Sequence, residues 1–121
     1  MARSLLVVDD SPIIRRMVLT AFSAAGWHVQ AAPDVPTARE LDRNGDFDVI
    51  LTDLHMPGET GCDLLRWVAL NYPNTRTVLM SAEGKGCEDC PFLPRCPFVQ
   101  KPFHLPQLLA TIDRLWADPP S

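Results

Sequence analysis

The chain has 121 residues, 46% of them apolar and 21% charged, with a formal charge of −4, a balance that suits one globular domain and is too short for two ordinary ones. The negative charge and the absence of any Lys/Arg run speak against a non-specific nucleic-acid or membrane-surface protein, and no apolar run approaches the roughly 18 residues of a bilayer span. Met1-Ala2-Arg3-Ser4 leads straight into an apolar segment without a signal-peptide pattern, so a cytoplasmic location with four reduced cysteines is expected.

Leu5-Leu6-Val7-Val8 is a continuous apolar run, suited to a strand covered on both faces. It ends at Asp9-Asp10, and Ser11-Pro12 then offers a helix cap and a helix-starting proline. Ile13, Ile14, Met17, Val18, Ala21, Phe22 and Ala25 follow at helical spacing until Gly26 stops them. Trp27 to Ala31 reads as a second strand. A helix with a weaker stripe (Val35, Ala38, Leu41) is expected from about Asp34 to Asn44, closed by Gly45. Phe47 to Leu51 reads as a third strand leading to Asp53, and Met56-Pro57-Gly58 as a turn. A third helix is expected from about Gly61, burying Leu64, Leu65, Val68 and Trp67; Thr77 to Met80 is a fourth buried strand ending at Ser81.

From Ser81 to Lys101 the pattern breaks down. Pro91, Pro94 and Pro97 stand three residues apart, and each interior proline costs a helix about 3 kcal/mol, so the helix between the fourth and fifth strands is expected to be short or missing. Phe98-Val99-Gln100 reads as the fifth strand, and the last helix, near Pro106 to Trp116, has the cleanest stripe. Strands alternating with helices predict an α/β domain over residues 1–121, with a doubly wound parallel sheet.

In such a sheet, sites form beyond the carboxyl ends of the strands. Those ends carry Asp9 and Asp10, Asp53, Ser81 and Lys101. Any one of these aspartates is equally well explained as a helix cap; the convergence of all five positions is what argues for chemistry. Three clustered carboxylates repel one another and call for a cation, and an all-oxygen set that awaits a phosphate suits Mg²⁺. An Asp carboxylate is a competent nucleophile towards phosphorus, while Lys101 and Ser81 can neutralise and hydrogen-bond the phosphoryl oxygens.

The segments from Leu6 to Pro12, from Leu51 to Gly58, Ser81-Ala82 and Lys101-Pro102-Phe103 resemble the receiver domain of two-component response regulators. The resemblance implies a flavodoxin-like sheet of order 2-1-3-4-5 and a stand-alone signalling switch, not an enzyme with a diffusible substrate. It implies Asp53 as phosphoacceptor, and Mg²⁺ held by Asp10, Asp53 and the main-chain carbonyl of His55, with Asp9 acting through water. It implies phosphate contacts from Ser81, Lys101, Leu54 and Ala82, a cis Lys101–Pro102 bond, and a switch coupling Ser81 to Phe98. The partners implied are a sensor histidine kinase or histidine phosphotransfer protein and a downstream protein that the sequence does not identify. His55, next but one to the acceptor, is either a lifetime-tuning residue or an ordinary exposed loop residue.

The family's usual fourth helix is replaced here by a segment containing Cys87, Cys90 and Cys96, with Cys62 elsewhere in the chain. Free or packed thiols, a disulfide, and a Zn²⁺ or iron–sulfur site remain open for these four. The alternative function is accordingly a redox- or metal-sensing adaptor built on that segment. A phosphatase is disfavoured by the lack of D-x-D-x-T after the first strand, and a flavin protein by the acidic loop there.

Overall fold

The computed structural model describes residues 3–43, 46–81 and 98–117, with Phe98, Trp116 and Ala117 as backbone only. In chain order the elements are β1 (Ser4–Val8), α1 (Pro12–Ala24), β2 (His28–Ala32), α2 (Val35–Leu41), β3 (Val49–Asp53), α3 (Gly61–Asn71), β4 (Arg76–Ser81), β5 (Phe98–Gln100) and α4 (Leu105–Ala117). The five strands form one parallel sheet of order β2-β1-β3-β4-β5. The expected short or missing helix between β4 and β5 falls on 82–97, outside the described residues.

The apolar runs of β1 and β3 have a direct cause, because each of these strands feeds two cores. Leu5, Val7, Val49, Leu51, Val78 and Met80 point to one face, where Val18 and Phe22 of α1 and Leu108 and Ile112 of α4 cover them. Leu6, Val8 and Ile50 point to the other, under Val35 and Ala38 of α2 and Leu64 and Val68 of α3. A strand with two covered faces has no polar alternation to show.

Helix starts follow local chemistry. The Ser11 hydroxyl accepts the Ile14 N–H at 3.4 Å, with Pro12 opening α1. Asp34 accepts the Thr37 N–H at 2.9 Å, and Thr60 with Asp63 forms a reciprocal capping box on α3. After α1, Gly26 takes φ 95°, a left-handed value that a side chain would resist.

Several expectations shift. The second helix stops at Leu41 and not near Asn44, because Asp42 takes the cap conformation and is fully buried. The third strand is Val49–Asp53 and not Phe47–Leu51: its ladder with β1 begins at Leu5↔Val49, and Asp48 before it uses its carboxylate to accept the Ser4 N–H at 2.9 Å. Ile13 and Met17 lie off the buried stripe of α1 and are exposed. Trp67 is half-buried, its ring meeting Tyr72 edge-on at 5.5 Å.

Asp42 yields a pH prediction. Its carboxylate oxygens have no hydrogen-bond partner among the described residues. Burial pushes its pKa from 3.8 to about 6, with the nearby Phe47 N–H relieving the penalty only in part and the charge of Asp46 adding to it. The folded state therefore holds a proton between pH 4 and 6 that the unfolded chain has released, and stability falls as pH rises through that window. A shift of this size sets a ceiling of roughly 3 kcal/mol. Asp42→Asn keeps a buried amide, so we expect it to stabilise by about 1–2 kcal/mol at pH 7. Its advantage should vanish near pH 4, as thermal melts of both proteins across this range will read; a constant advantage at all pH values would contradict the assignment.

Candidate phosphoacceptor site

The strand order places the site. The chain leaves β1 for the edge strand β2, then crosses back to β3 on the other side of β1, and this reversal opens a crevice above β1 and β3. Parallel register aligns the strand ends: Val8 pairs with Thr52, Asp53 with Met80, and Ser81 with Gln100. The residues that terminate these strands thus meet at one rim.

Asp9 is fully buried, and its carboxylate accepts the Ser11 N–H at 2.9 Å and the Lys101 ammonium at 2.6 Å. Lys101 also lies 3.4 Å from Asp53 Oδ1. Asp10 is exposed, Asp53 is 7% exposed and Ser81 is fully buried. One oxygen from each of Asp9, Asp10 and Asp53 falls within 4.8 Å of the others, the only such group of acidic, His or Cys ligands among the described residues. All donors are carboxylate oxygens and one of the three is open to solvent, which fits a hard divalent ion that keeps some of its water.

Charge explains the local ionisation. Burial and then the neighbouring Asp9 push Asp53 above the usual carboxylate range, with Lys101 working in the opposite direction. Burial alone would lower the value for Lys101, but its hydrogen bond to Asp9 and the charges of Asp9 and Asp53 outweigh that and hold it above normal. One ammonium therefore serves two carboxylates, leaving the cluster net negative and receptive to a cation.

Of the remaining expected residues, His55 has an exposed side chain just past β3. The Leu54 N–H, expected at the phosphate, donates here to Met80 O at 2.8 Å. Ala82 lies outside the described residues, as do Cys87, Cys90 and Cys96. Phe98 sits in β5 opposite Leu79, and its side chain is likewise outside them. The Lys101–Pro102 bond is cis. Cys62, near the start of α3, is disulfide-bonded, and a sulfur so bonded is not a thiolate for Zn²⁺ or a cluster; the expectation of four reduced cysteines is corrected to that extent.

Two site features escaped the sequence reading. Arg15 is half-buried and donates to Asp9 O at 2.8 Å, tying α1 to the acidic loop; its place one turn into the helix after Asp9-Asp10 was the available signal. At Gly61 a Cβ would stand 2.3 Å from Asp53 O. That glycine allows α3 to start against the main chain of Asp53, and a glycine at a helix's first position was the hint.

The sequence profile described as "Response regulator receiver domain" matches residues 5–113. The chain is 32% identical over 120 residues to the DNA-binding transcriptional regulator NtrC of Bradyrhizobium sp. (strain RP501 Parasponia), covering 98% of this chain and 25% of that protein. It is 41% identical over 84 residues to the chemotaxis protein CheY-3 of Vibrio cholerae, covering 67% of this chain and 65% of that one. The crystal structure of V. cholerae chemotaxis protein CheY4 superposes with a TM-score of 0.83 at 29% identity, over 94% of this chain and 98% of that chain. The chain spans about a quarter of the length of the NtrC proteins it matches.

Proposed function

The chain belongs to the response regulator receiver domain family, and we propose that it accepts a phosphoryl group on Asp53 from a histidine kinase or phosphotransfer protein and changes its surface in response. The observation that carries this reading is the meeting of Asp9, Asp10 and Asp53 with Lys101 at one rim of the sheet. Among the described residues no helix is long and apolar enough to cross a membrane, in keeping with a domain that works in the cytoplasm.

The chemistry follows from the residues. An Asp53 carboxylate oxygen attacks the donor's phosphorus, the bond to the donor nitrogen or oxygen breaks, and the leaving group departs with the electron pair. Asp9, Asp10, Asp53 and the main-chain carbonyl of His55 would hold Mg²⁺, which when bound supplies positive charge against the phosphoryl oxygens. Lys101, already 3.4 Å from Asp53, neutralises one equatorial oxygen, and Ser81 donates to another, helped by the main-chain N–H groups of Leu54 and Ala82. For Leu54 this requires giving up its bond to Met80 O, so phosphate would compete with the sheet for that donor. The pull on Ser81 and the segment after it would admit Phe98 inward, a population shift that remodels the face around β4 and β5. The exposed His55 can govern how long the phosphate lasts by controlling water's approach to it.

Incubation with acetyl phosphate and Mg²⁺ should add one acid-stable, base-labile phosphate, seen by intact-mass spectrometry and blocked by a chelator. No uptake, or uptake indifferent to the chelator, would reject the reading. Lys101→Met should slow uptake by about tenfold to a hundredfold, because a charged donor aimed at the transferring group is lost. The same change leaves the buried Asp9 carboxylate without its cation, so the variant should melt lower without Mg²⁺ and recover on its addition; unchanged uptake kinetics would remove Lys101 from the phosphate's shell.

A further inference from the structure

We propose that Arg39 and Glu59 are positioning residues for the divalent cation: their ion pair holds the loop that presents the main-chain carbonyl of His55, and so sets how tightly the site binds Mg²⁺. The inference rests on the receiver reading above, in which that carbonyl is one of the cation's ligands. Arg39 lies in the last turn of α2, and its Nη2 donates to Glu59 Oε1 in the loop between β3 and α3. Both side chains are half-buried. The pair therefore ties α2 to the loop that begins at Asp53.

The loop is closed at its base, where the Gly61 N–H donates to Leu54 O at 2.9 Å. Just past His55, Met56 is buried in the core beneath α2 and α3. Pro57 follows, and its ring fixes its own φ and holds Met56 extended, so the two residues move as one stiff piece. Gly58, at φ 83°, is the free joint. Met56 pins the near end of the stiff piece, and Glu59, beyond the joint, pins the far end. Released from Arg39, the chain can pivot at Gly58 and turn the His55–Met56 peptide, whose oxygen is the ligand carbonyl. A ligand turned off its bearing binds metal more weakly.

Stability does not account for the pair. An ion pair this open to solvent adds little to the fold, and Arg39 Nε is buried without a hydrogen-bond partner among the described residues, which is a cost. Charge alone makes a different prediction from the tie. Removing Arg39 leaves the chain more negative and should tighten a cation, whereas removing Glu59 should loosen it. Loss of the tie loosens the cation in both cases. Arg43, which pairs with Glu40 at 3.4 Å within its own segment, supplies the control for a lost arginine charge.

The test titrates Mg²⁺ into the 121-residue protein, followed by NMR chemical shifts. Arg39→Met and Glu59→Ala should each raise the Mg²⁺ dissociation constant by about fivefold, somewhat less than the loss of a group bonded directly to a ligand. Arg43→Met should not raise it. The Mg²⁺ concentration that half-saturates uptake from acetyl phosphate should rise by the same factor, while the rate at saturating Mg²⁺ stays at the wild-type value. Melts without Mg²⁺ should stay close to wild type, and the swap Arg39→Glu with Glu59→Arg should recover most of the lost affinity. Unchanged affinity in both single variants overturns the proposal, and so do changes of opposite sign, which charge alone explains. Weakening in step with a large loss of metal-free stability, unrepaired by the swap, overturns it too. A wild type that binds no Mg²⁺ or takes up no phosphate overturns the receiver reading itself.

Discussion

Asp53→Asn should take up no measurable phosphate, a fall of more than about a thousandfold, the scale on which removing a nucleophile acts. The amide oxygen cannot form the acyl phosphate, and the cluster of Asp9, Asp10 and Asp53 loses one of its three carboxylates. The fold should survive. Burial and the charge of Asp9 push the Asp53 carboxyl above its ordinary range, so a neutral amide removes a charge that the site holds at a cost. The variant should therefore melt no lower than wild type, and a normal melt with absent uptake separates lost chemistry from lost structure. Uptake persisting unchanged would move the acceptor elsewhere in the chain.

Gly61→Ala should destabilise the domain and slow its phosphorylation together. Two effects oppose each other at this position. Alanine is the better helix former by about 1 kcal/mol, and Gly61 does not have the positive φ that would make a side chain strained. Against this, the new Cβ would stand 2.3 Å from Asp53 O and 3.2 Å from Leu54 Cα, both main-chain atoms that cannot rotate away. Forcing extra carbon into a tight contact costs about 1–3 kcal/mol, occasionally more. The clash wins, and α3 and the end of β3 must separate. Displacement of Asp53 by even a fraction of an ångström also degrades an arrangement that depends on positioning. A lowered melting temperature and an uptake rate reduced by about tenfold or more are expected. A variant as stable and as fast as wild type would show that the contact between α3 and Asp53 is dispensable.

The site was more legible than the edges of the elements that carry it. Asp9, Asp10, Asp53, Ser81 and Lys101 could be placed together from sequence because each follows an apolar run, and a parallel sheet has one rim for all strand ends. The end of α2 could not be placed, because Asp42 is polar in composition yet fully buried in fact. The role of Arg15 was hidden for a similar reason: its neighbour Arg16 faces water while Arg15 reaches back to Asp9 O, a difference of one helical step that composition does not encode.

The chain's own residues determined the fold class, the helix starts at Ser11, Asp34 and Thr60, and the identity of the acidic cluster, because caps, apolar runs and terminal aspartates act over a few neighbouring positions. Only the tertiary structure decided the distances that make the cluster a site: Lys101 within 2.6 Å of Asp9 across the sheet, Gly61 pressed against Asp53, and the disulfide at Cys62. These depend on strand register, helix docking and chain crossing, which join residues far apart in sequence, and no local pattern fixes how closely such residues approach.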